Sequence, residues 1–218
     1  MVIFDCNGVL VDSEPLATAI VSEEFMRAGF ALTPDVIARF FTGRRPADMF
    51  AEVEAASGRK LPAGFAATVA EATLRRFRAE LRATAHVAQA LSWIRGPKCV
   101  ASSSSYDRIR VSLESTDLIR FFDPYLFSAN EVKNGKPAPD LFRHAAARMK
   151  VRPSDCIVVE DSIAGVAAAV AAGMTTIGFA GGSHASGRLG DQLRKAGARA
   201  VVSDMRLLKS AVMELRGW

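Results

Sequence analysis

Cysteine, histidine, tryptophan and tyrosine are all scarce in this chain: three Cys, three His, two Trp and two Tyr among 218 residues. Cys6, Cys99 and Cys156 are odd in number and far apart, with no CxxC and no Cys/His cluster at zinc spacing. That pattern excludes a disulfide framework and a structural zinc site. Each cysteine lies in or beside an apolar run, so reduced, buried thiols and a cytoplasmic location are expected. No apolar run approaches the ~20 residues of a membrane helix. The N-terminus enters a strand-like run with no basic segment before it, so neither a membrane partner nor a signal peptide is expected. The formal net charge of +5 comes in short clusters such as Arg44-Arg45 and Arg75-Arg76. Without a long basic run, or a basic stretch interleaved with aromatics, nucleic acid is not an expected partner. An anionic small molecule fits the balance better. The chain also has no internal repeat and no low-complexity segment.

Half of the residues are hydrophobic and 23% are charged, which suits a folded chain with a substantial core. The length allows one large α/β domain with an insertion, or two small domains. Short apolar runs, the mark of buried parallel strands, recur at Val2–Phe4, Cys99–Ala101, Tyr125–Phe127, Cys156–Val159, Thr175–Phe179 and Ala200–Val202. Helical patterns separate the later ones, over Leu141–Met149, Gly165–Ala172 and Gln192–Ala196. Gly173 and Gly197 close the last two in the position glycine favours. Alternating strands and helices imply an α/β fold with a doubly wound parallel sheet. Residues 13–82 break that rhythm. They hold no strand-like run, and helix starts recur at Asp12-Ser13-Glu14-Pro15, Thr33-Pro34-Asp35, Arg45-Pro46-Ala47-Asp48 and Gly64. The expectation is a helical cap over 13–82, inserted into a core made of residues 1–12 and 83–218.

The acids fall where chemistry is placed in such a sheet. Asp5 ends the first strand, and Glu160-Asp161 end the strand that starts at Cys156. The carboxyl ends of neighbouring parallel strands share one edge, where ligands bind. Three carboxylates there need a cation, and hard oxygen ligands suit Mg²⁺, which keeps waters and accepts substrate phosphate. Ser102 ends the second strand, ahead of a hydroxyl-rich turn and a helix. A hydroxyl with free backbone N–H groups makes a phosphate seat, though an ordinary capped loop has the same composition. Lys136 lies in Gly135-Lys136-Pro137-Ala138-Pro139-Asp140, where two prolines fix its direction.

These segments resemble the haloacid-dehalogenase-like hydrolases. Asp5-Cys6-Asn7-Gly8-Val9-Leu10-Val11-Asp12-Ser13 is similar to the first motif, DxDGxLxDS. Val100-Ala101-Ser102 resembles the second, Gly135–Asp140 the third, and Val158-Val159-Glu160-Asp161-Ser162 with Gly165 and Gly173-Met174 the fourth. The helical insertion resembles the cap of the β-phosphoglucomutase-like phosphatase branch. The resemblance implies a Mg²⁺-dependent phosphoric monoester hydrolase acting on a small phosphorylated metabolite, such as a sugar or sugar-acid phosphate. Asp5 would attack phosphorus and form an aspartyl-phosphate. The metal would take Asp5, the Asn7 carbonyl and Asp161, with Glu160 direct or through water. Ser102, Ser103 and the backbone at Cys6 and Gly8 would hold phosphate oxygens, and Lys136 would screen charge. Phe41-Thr42-Gly43-Arg44-Arg45 resembles the branch's specificity loop. Gly43, Arg44 and Arg45 are therefore substrate-binding candidates, and Arg75 and Arg76 are further cations of the same segment. His184, in Gly181-Gly182-Ser183-His184, is expected to be a loop residue near the core–cap junction.

One departure stands at the centre of the first motif. The family places a second Asp two residues after the nucleophile, as general acid and base; here it is Asn7. Such help is commonly worth ~10²–10⁴ in rate. Four readings of Asn7 stay open: a phospho-ligand binder without turnover, a variant made to trap a complex, another proton source or a good leaving group, and deamidation at Asn7-Gly8. Two further activities compete. Carbon–halogen or carbon–phosphorus cleavage also dispenses with the second Asp, but dehalogenases of this group lack the acidic pair that Glu160-Asp161 keeps. A phosphomutase would carry a histidine five residues after Asp12, where this chain has Ala17.

Overall fold

The computed structural model describes residues 1–41 and 46–216. Six strands form one parallel sheet: β1 (Val2–Phe4), β2 (Lys98–Ser102), β3 (Leu126–Ser128), β4 (Ile157–Glu160), β5 (Thr175–Phe179) and β6 (Ala200–Val202). Their order is β3-β2-β1-β4-β5-β6. The chain winds outward from β1 to β3, then crosses back to place β4 on the other side of β1. That reversal makes the carboxyl end of β1 the switch point, where a crevice opens in sheets of this kind. Register brings the ends into line, with Phe4 opposite Val100 on one side and Val159 on the other.

Strand side chains alternate between two cores, as the pleat demands. Val2, Phe4, Val100, Ile157 and Val159 enter one apolar cluster, and Ile3, Cys99, Ala101 and Val158 the other. This is why the strands read as continuous apolar runs. The helices are α1 (Glu14–Arg27), α2 (Pro34–Phe41), α3 (Pro46–Ser57), α4 (Phe65–Glu80), α5 (Val87–Trp93), α6 (Tyr106–Ser115), α7 (Asp140–Arg148), α8 (Ile163–Ala171), α9 (Leu189–Lys195) and α10 (Leu208–Leu215). None of them is long and apolar enough to cross a membrane. Gly173 and Gly197, just past α8 and α9, have φ of +80° and +112°, as expected of residues that end helices in the left-handed region. All three cysteines are free and buried.

Helices α1 to α4 hold a core of their own. Phe25, Phe30, Ile37, Phe50, Val53, Phe65 and Val69 pack together, with the Phe25 and Phe65 rings 4.9 Å apart. Two chain crossings tie this group to the sheet. Asp12 N–H donates to the Arg82 carbonyl at 3.0 Å, and Thr84 N–H to the Leu10 carbonyl at 3.0 Å. Outgoing and returning segments therefore run antiparallel beside each other. The start of α1 differs from expectation. Ser13 makes no capping bond, and Asp12 instead accepts from the Ser183 backbone N–H (3.2 Å) and hydroxyl (2.7 Å). Asp12 is thus used to pin the loop after β5.

Candidate active site

The loop after β1 is a tight crossover. Leu10 N–H and Val11 N–H both donate to the Cys6 carbonyl, at 2.9 and 3.1 Å. Gly8 has φ of +76°, and a Cβ there would lie 1.9 Å from Asp161 Oδ2. Glycine is required on both counts: the left-handed backbone, and room for the Asp161 carboxylate. Gly165 serves Glu160 in the same way, since its Cβ would fall 1.9 Å from Glu160 Oε1.

The carboxyl edge brings Asp5, Glu160 and Asp161 together, each buried, with one oxygen of each within 4.8 Å of the others. Lys136 Nζ lies among them. It donates to Asp5 Oδ1 at 2.5 Å, to Glu160 Oε1 at 2.6 Å and to the Ala101 carbonyl at 3.4 Å. The turn that carries it is closed by Ala138 N–H donating to the Gly135 carbonyl at 2.9 Å. Glu160 Oε2 is taken by the Ser162 N–H (2.8 Å) and hydroxyl (2.9 Å). Both oxygens of Glu160 are therefore engaged, which favours contact with a cation through water over direct ligation.

Burial pushes the Asp5 carboxyl up to about 8; the Glu160 and Asp161 charges add to that, and Lys136 opposes it. Asp161 is raised to about 6, again chiefly by burial, against a hydrogen bond from His184. Burial works against the Lys136 charge, yet Asp5 and Glu160 outweigh it and raise its pKa. Asp5 stays raised although Lys136 lies against it, so burial and the neighbouring carboxylates leave charge that a further cation would offset. That residual charge and the hard oxygen donors of Asp5, Glu160 and Asp161 fit a Mg²⁺ ion.

Ser102 is fully buried at the end of β2. Its hydroxyl accepts the Ser104 N–H at 3.3 Å. The cap of α6 is Ser105, which accepts the Arg108 N–H at 3.4 Å. Capping thus falls to Ser105, and Ser102 stands at the carboxyl end of β2, the strand paired with β1. Ser103 is exposed in the same loop. Ser128 on β3 anchors the loop by donating to the Ser104 carbonyl at 2.7 Å. Asn7 Nδ2 donates to Ser104 Oγ at 2.8 Å, while its Oδ1 is buried without a partner. The Gly8 N–H donates to the Val11 carbonyl at 2.7 Å. Deamidation requires that nitrogen to attack the Asn7 side chain, so the folded loop works against it.

Gly43, Arg44 and Arg45 lie outside the described residues. Arg76 does not serve the cleft; it joins Glu23 on α1 at 2.8 Å and Glu80 at 2.7 Å. Arg75 is exposed. Two residues gain importance: His184, expected only as a loop residue near the core–cap junction, and Arg108, which sequence reasoning missed. His184 Nε2 sits 3.0 Å from Asp161 Oδ2, and that bond raises the His184 pKa against the cost of burial. Arg108, on the first turn of α6, has its guanidinium 4.9 Å from the centre of the Phe77 ring on α4. The spacing of Arg108 six residues after Ser102 was the available signal. For His184 the Gly181–His184 pattern gave the place but not the partner, because its contact with Asp161 depends on where the loop after β5 folds.

A family model for haloacid dehalogenase-like hydrolases matches residues 1–173. The 6-phosphogluconate phosphatase of Escherichia coli is 33% identical over 184 residues, spanning 84% of this chain and 83% of that protein. A phosphorylated carbohydrates phosphatase of Thermotoga maritima is 32% identical over 213 residues, 95% of each chain. Among solved structures, a conserved haloacid dehalogenase-like protein of unknown function from Agrobacterium tumefaciens superposes with a TM-score of 0.84 at 34% identity, covering 99% of this chain and 98% of that one. With its four motifs gathered on one sheet edge, the chain belongs to the haloacid dehalogenase-like hydrolase family.

Proposed function

We propose that this protein is a cytoplasmic, Mg²⁺-dependent phosphoric monoester hydrolase acting on a small phosphorylated carbohydrate, with Asp5 as nucleophile. The observation that carries the reading is the Asp5–Lys136–Glu160 arrangement beside Asp161 at the switch point of the sheet. The names of the curated relatives support the substrate class. Asp5, Asp161 and the Asn7 carbonyl would hold the metal, with Glu160 reached through water. Bound there, Mg²⁺ would neutralise charge on the nucleophile and on the transferring phosphoryl oxygens.

Asp5 attacks phosphorus as the bond to the leaving alkoxide breaks. Lys136 holds the Asp5 carboxylate in place and screens it from the incoming phosphate. Ser102, Ser103 and the N–H group at Cys6 bind the equatorial oxygens; the Gly8 N–H, expected to join them, is spent on the Val11 carbonyl. Water then cleaves the aspartyl-phosphate and regenerates Asp5. In both steps a proton must move at the position of Asn7, whose amide can neither donate to the alkoxide nor deprotonate the water. The helices of residues 13–82 cover the site as a lid. Ala17, at the place where a mutase would need its histidine, packs against the core, which favours hydrolysis over isomerisation.

The test is Mg²⁺-dependent hydrolysis of an aryl phosphate by the chain as it stands, by Asn7→Asp and by Asp5→Ala. Asn7→Asp is expected to gain about 10²–10⁴ in kcat, and Asp5→Ala to be inactive. If neither the chain as it stands nor Asn7→Asp turns over while both bind phosphate and Mg²⁺, the binding-protein reading replaces this one.

A further inference from the structure

Arg108 is a cation in an unusual place. It occupies the third position of α6, where the helix dipole is positive and disfavours another positive charge. Arg108 is half-buried, and its Nε is inaccessible and without a hydrogen-bond partner. Among the described residues the guanidinium makes no ion pair, although Glu14 and Asp5 are near enough for their charges to act on it. Its contact is the face of Phe77, which belongs to cap helix α4 and is itself fully buried. An arginine kept only to clamp cap to core would be expected to carry a carboxylate partner, because an unpaired desolvated charge costs stability. A guanidinium with its donors unspent, beside the helix N-terminus that follows the Ser102–Ser105 loop, is instead prepared for an oxyanion.

We infer that Arg108 receives a second anionic group of the substrate, so that the ester turned over carries a carboxylate or a second phosphate in addition to the phosphate that reacts. This rests on the phosphatase reading, which places the reacting phosphate at Asp5. The planar fork would take the second group in a two-point contact, with Phe77 fixing its plane from the cap side. Recognition would then join core and cap only when the second anion is present.

The experiment compares esters that differ only in that group: 3-phosphoglycerate with glycerol 3-phosphate, and gluconate 6-phosphate with glucitol 6-phosphate. Glucitol 1,6-bisphosphate tests a second phosphate, and inorganic phosphate tests the reacting site alone. Binding is measured by calorimetry in Mg²⁺ on the chain as it stands and on Arg108→Met and Arg108→Lys. The native protein should prefer an anion-bearing ester about 10–100-fold over its neutral counterpart. In Arg108→Met that ratio should fall to within about threefold, and Arg108→Lys should keep part of it. The Tm of Arg108→Met should hold or rise, because an unpaired, half-buried charge has gone. Equal weakening of both esters, or a lowered Tm with the ratio unchanged, would show a cap–core clamp and overturn the inference. A native protein without the preference would also overturn it. Failure of inorganic phosphate to bind at all would instead remove the phosphatase reading, and this inference with it.

Discussion

Replacing Lys136 by Met tests the electrostatics of the site independently of turnover. The ammonium bridges Asp5 and Glu160, and all three side chains are almost wholly buried, at 6%, 8% and 1% exposure for Lys136, Asp5 and Glu160. Removing one partner of a buried pair costs about 3–5 kcal/mol, because the other charge is left uncompensated. The stranded carboxylate has one escape, which is to take up a proton. For an ordinary glutamic acid of pKa ~4.3 that costs ~1.4 kcal/mol per pH unit above it, about 5 kcal/mol at pH 8 and under about 2 kcal/mol at pH 5.5. The cheaper route sets the loss. Lys136→Met should therefore destabilise by about 3–5 kcal/mol at pH 8 and by no more than about 2 kcal/mol at pH 5.5. Urea unfolding with EDTA present reads both values, since Mg²⁺ would otherwise stand in for the lysine. Lys136→Met/Glu160→Gln should recover more than half of the loss at pH 8, because the amide keeps an oxygen for Ser162 without the charge. An equal loss at the two pH values, or a double variant no better than the single, would refute this account.

Asp5 and Asp161 are raised to about 8 and about 6 by burial. The folded, metal-free chain therefore binds more protons than the unfolded one, and stability present below pH ~4 is lost as pH rises through those values. Thermal scans in EDTA should show Tm falling from pH 5 to 8, with Mg²⁺ restoring more at pH 8 than at pH 5; a Tm that rises with pH would contradict this. Gly8→Ala should weaken Mg²⁺ binding tenfold or more by calorimetry, since its Cβ would occupy the position of Asp161 Oδ2. Gly187→Ala, where the Cβ meets nothing within 4 Å, is the control expected to be silent. The His184 imidazole, raised chiefly by its bond to Asp161, should titrate above 6.5 by NMR without metal and shift downward when Mg²⁺ draws on the Asp161 charge. An unchanged titration would separate His184 from the metal site.

The sheet was legible because a parallel strand buried on both faces has to be a short apolar run, and each of the six runs contains or overlaps a strand. Glycine positions were equally direct, since only a left-handed residue ends α8 and α9 as Gly173 and Gly197 do. The cap start was less so. Ser13 has the right chemistry for a cap, but the hydrogen bonds of Asp12 with Ser183 come from a loop 171 residues away, and no local pattern encodes such a partner. Helices α5 and α10 were passed over, because α5 is a single seven-residue stretch whose apolar face has meaning only against the sheet.

Sequence alone pointed to the groups that gather at one edge: Asp5, Glu160 and Asp161 follow or end neighbouring parallel strands, and Lys136 sits in a proline-stiffened turn. It also put an amide at Asn7, where the proposed mechanism needs a proton to move. Only the tertiary structure decided how those groups are paired. Whether Glu160 meets a cation or Ser162 and Lys136, whether Arg76 points to the cleft or to Glu23, and whether Arg108 has a carboxylate at all depend on through-space distances of a few ångströms. Motifs constrain neighbours along the backbone. Charge pairing is set by packing between elements far apart in the chain, and by the burial that makes an unpaired guanidinium or carboxylate costly enough to matter.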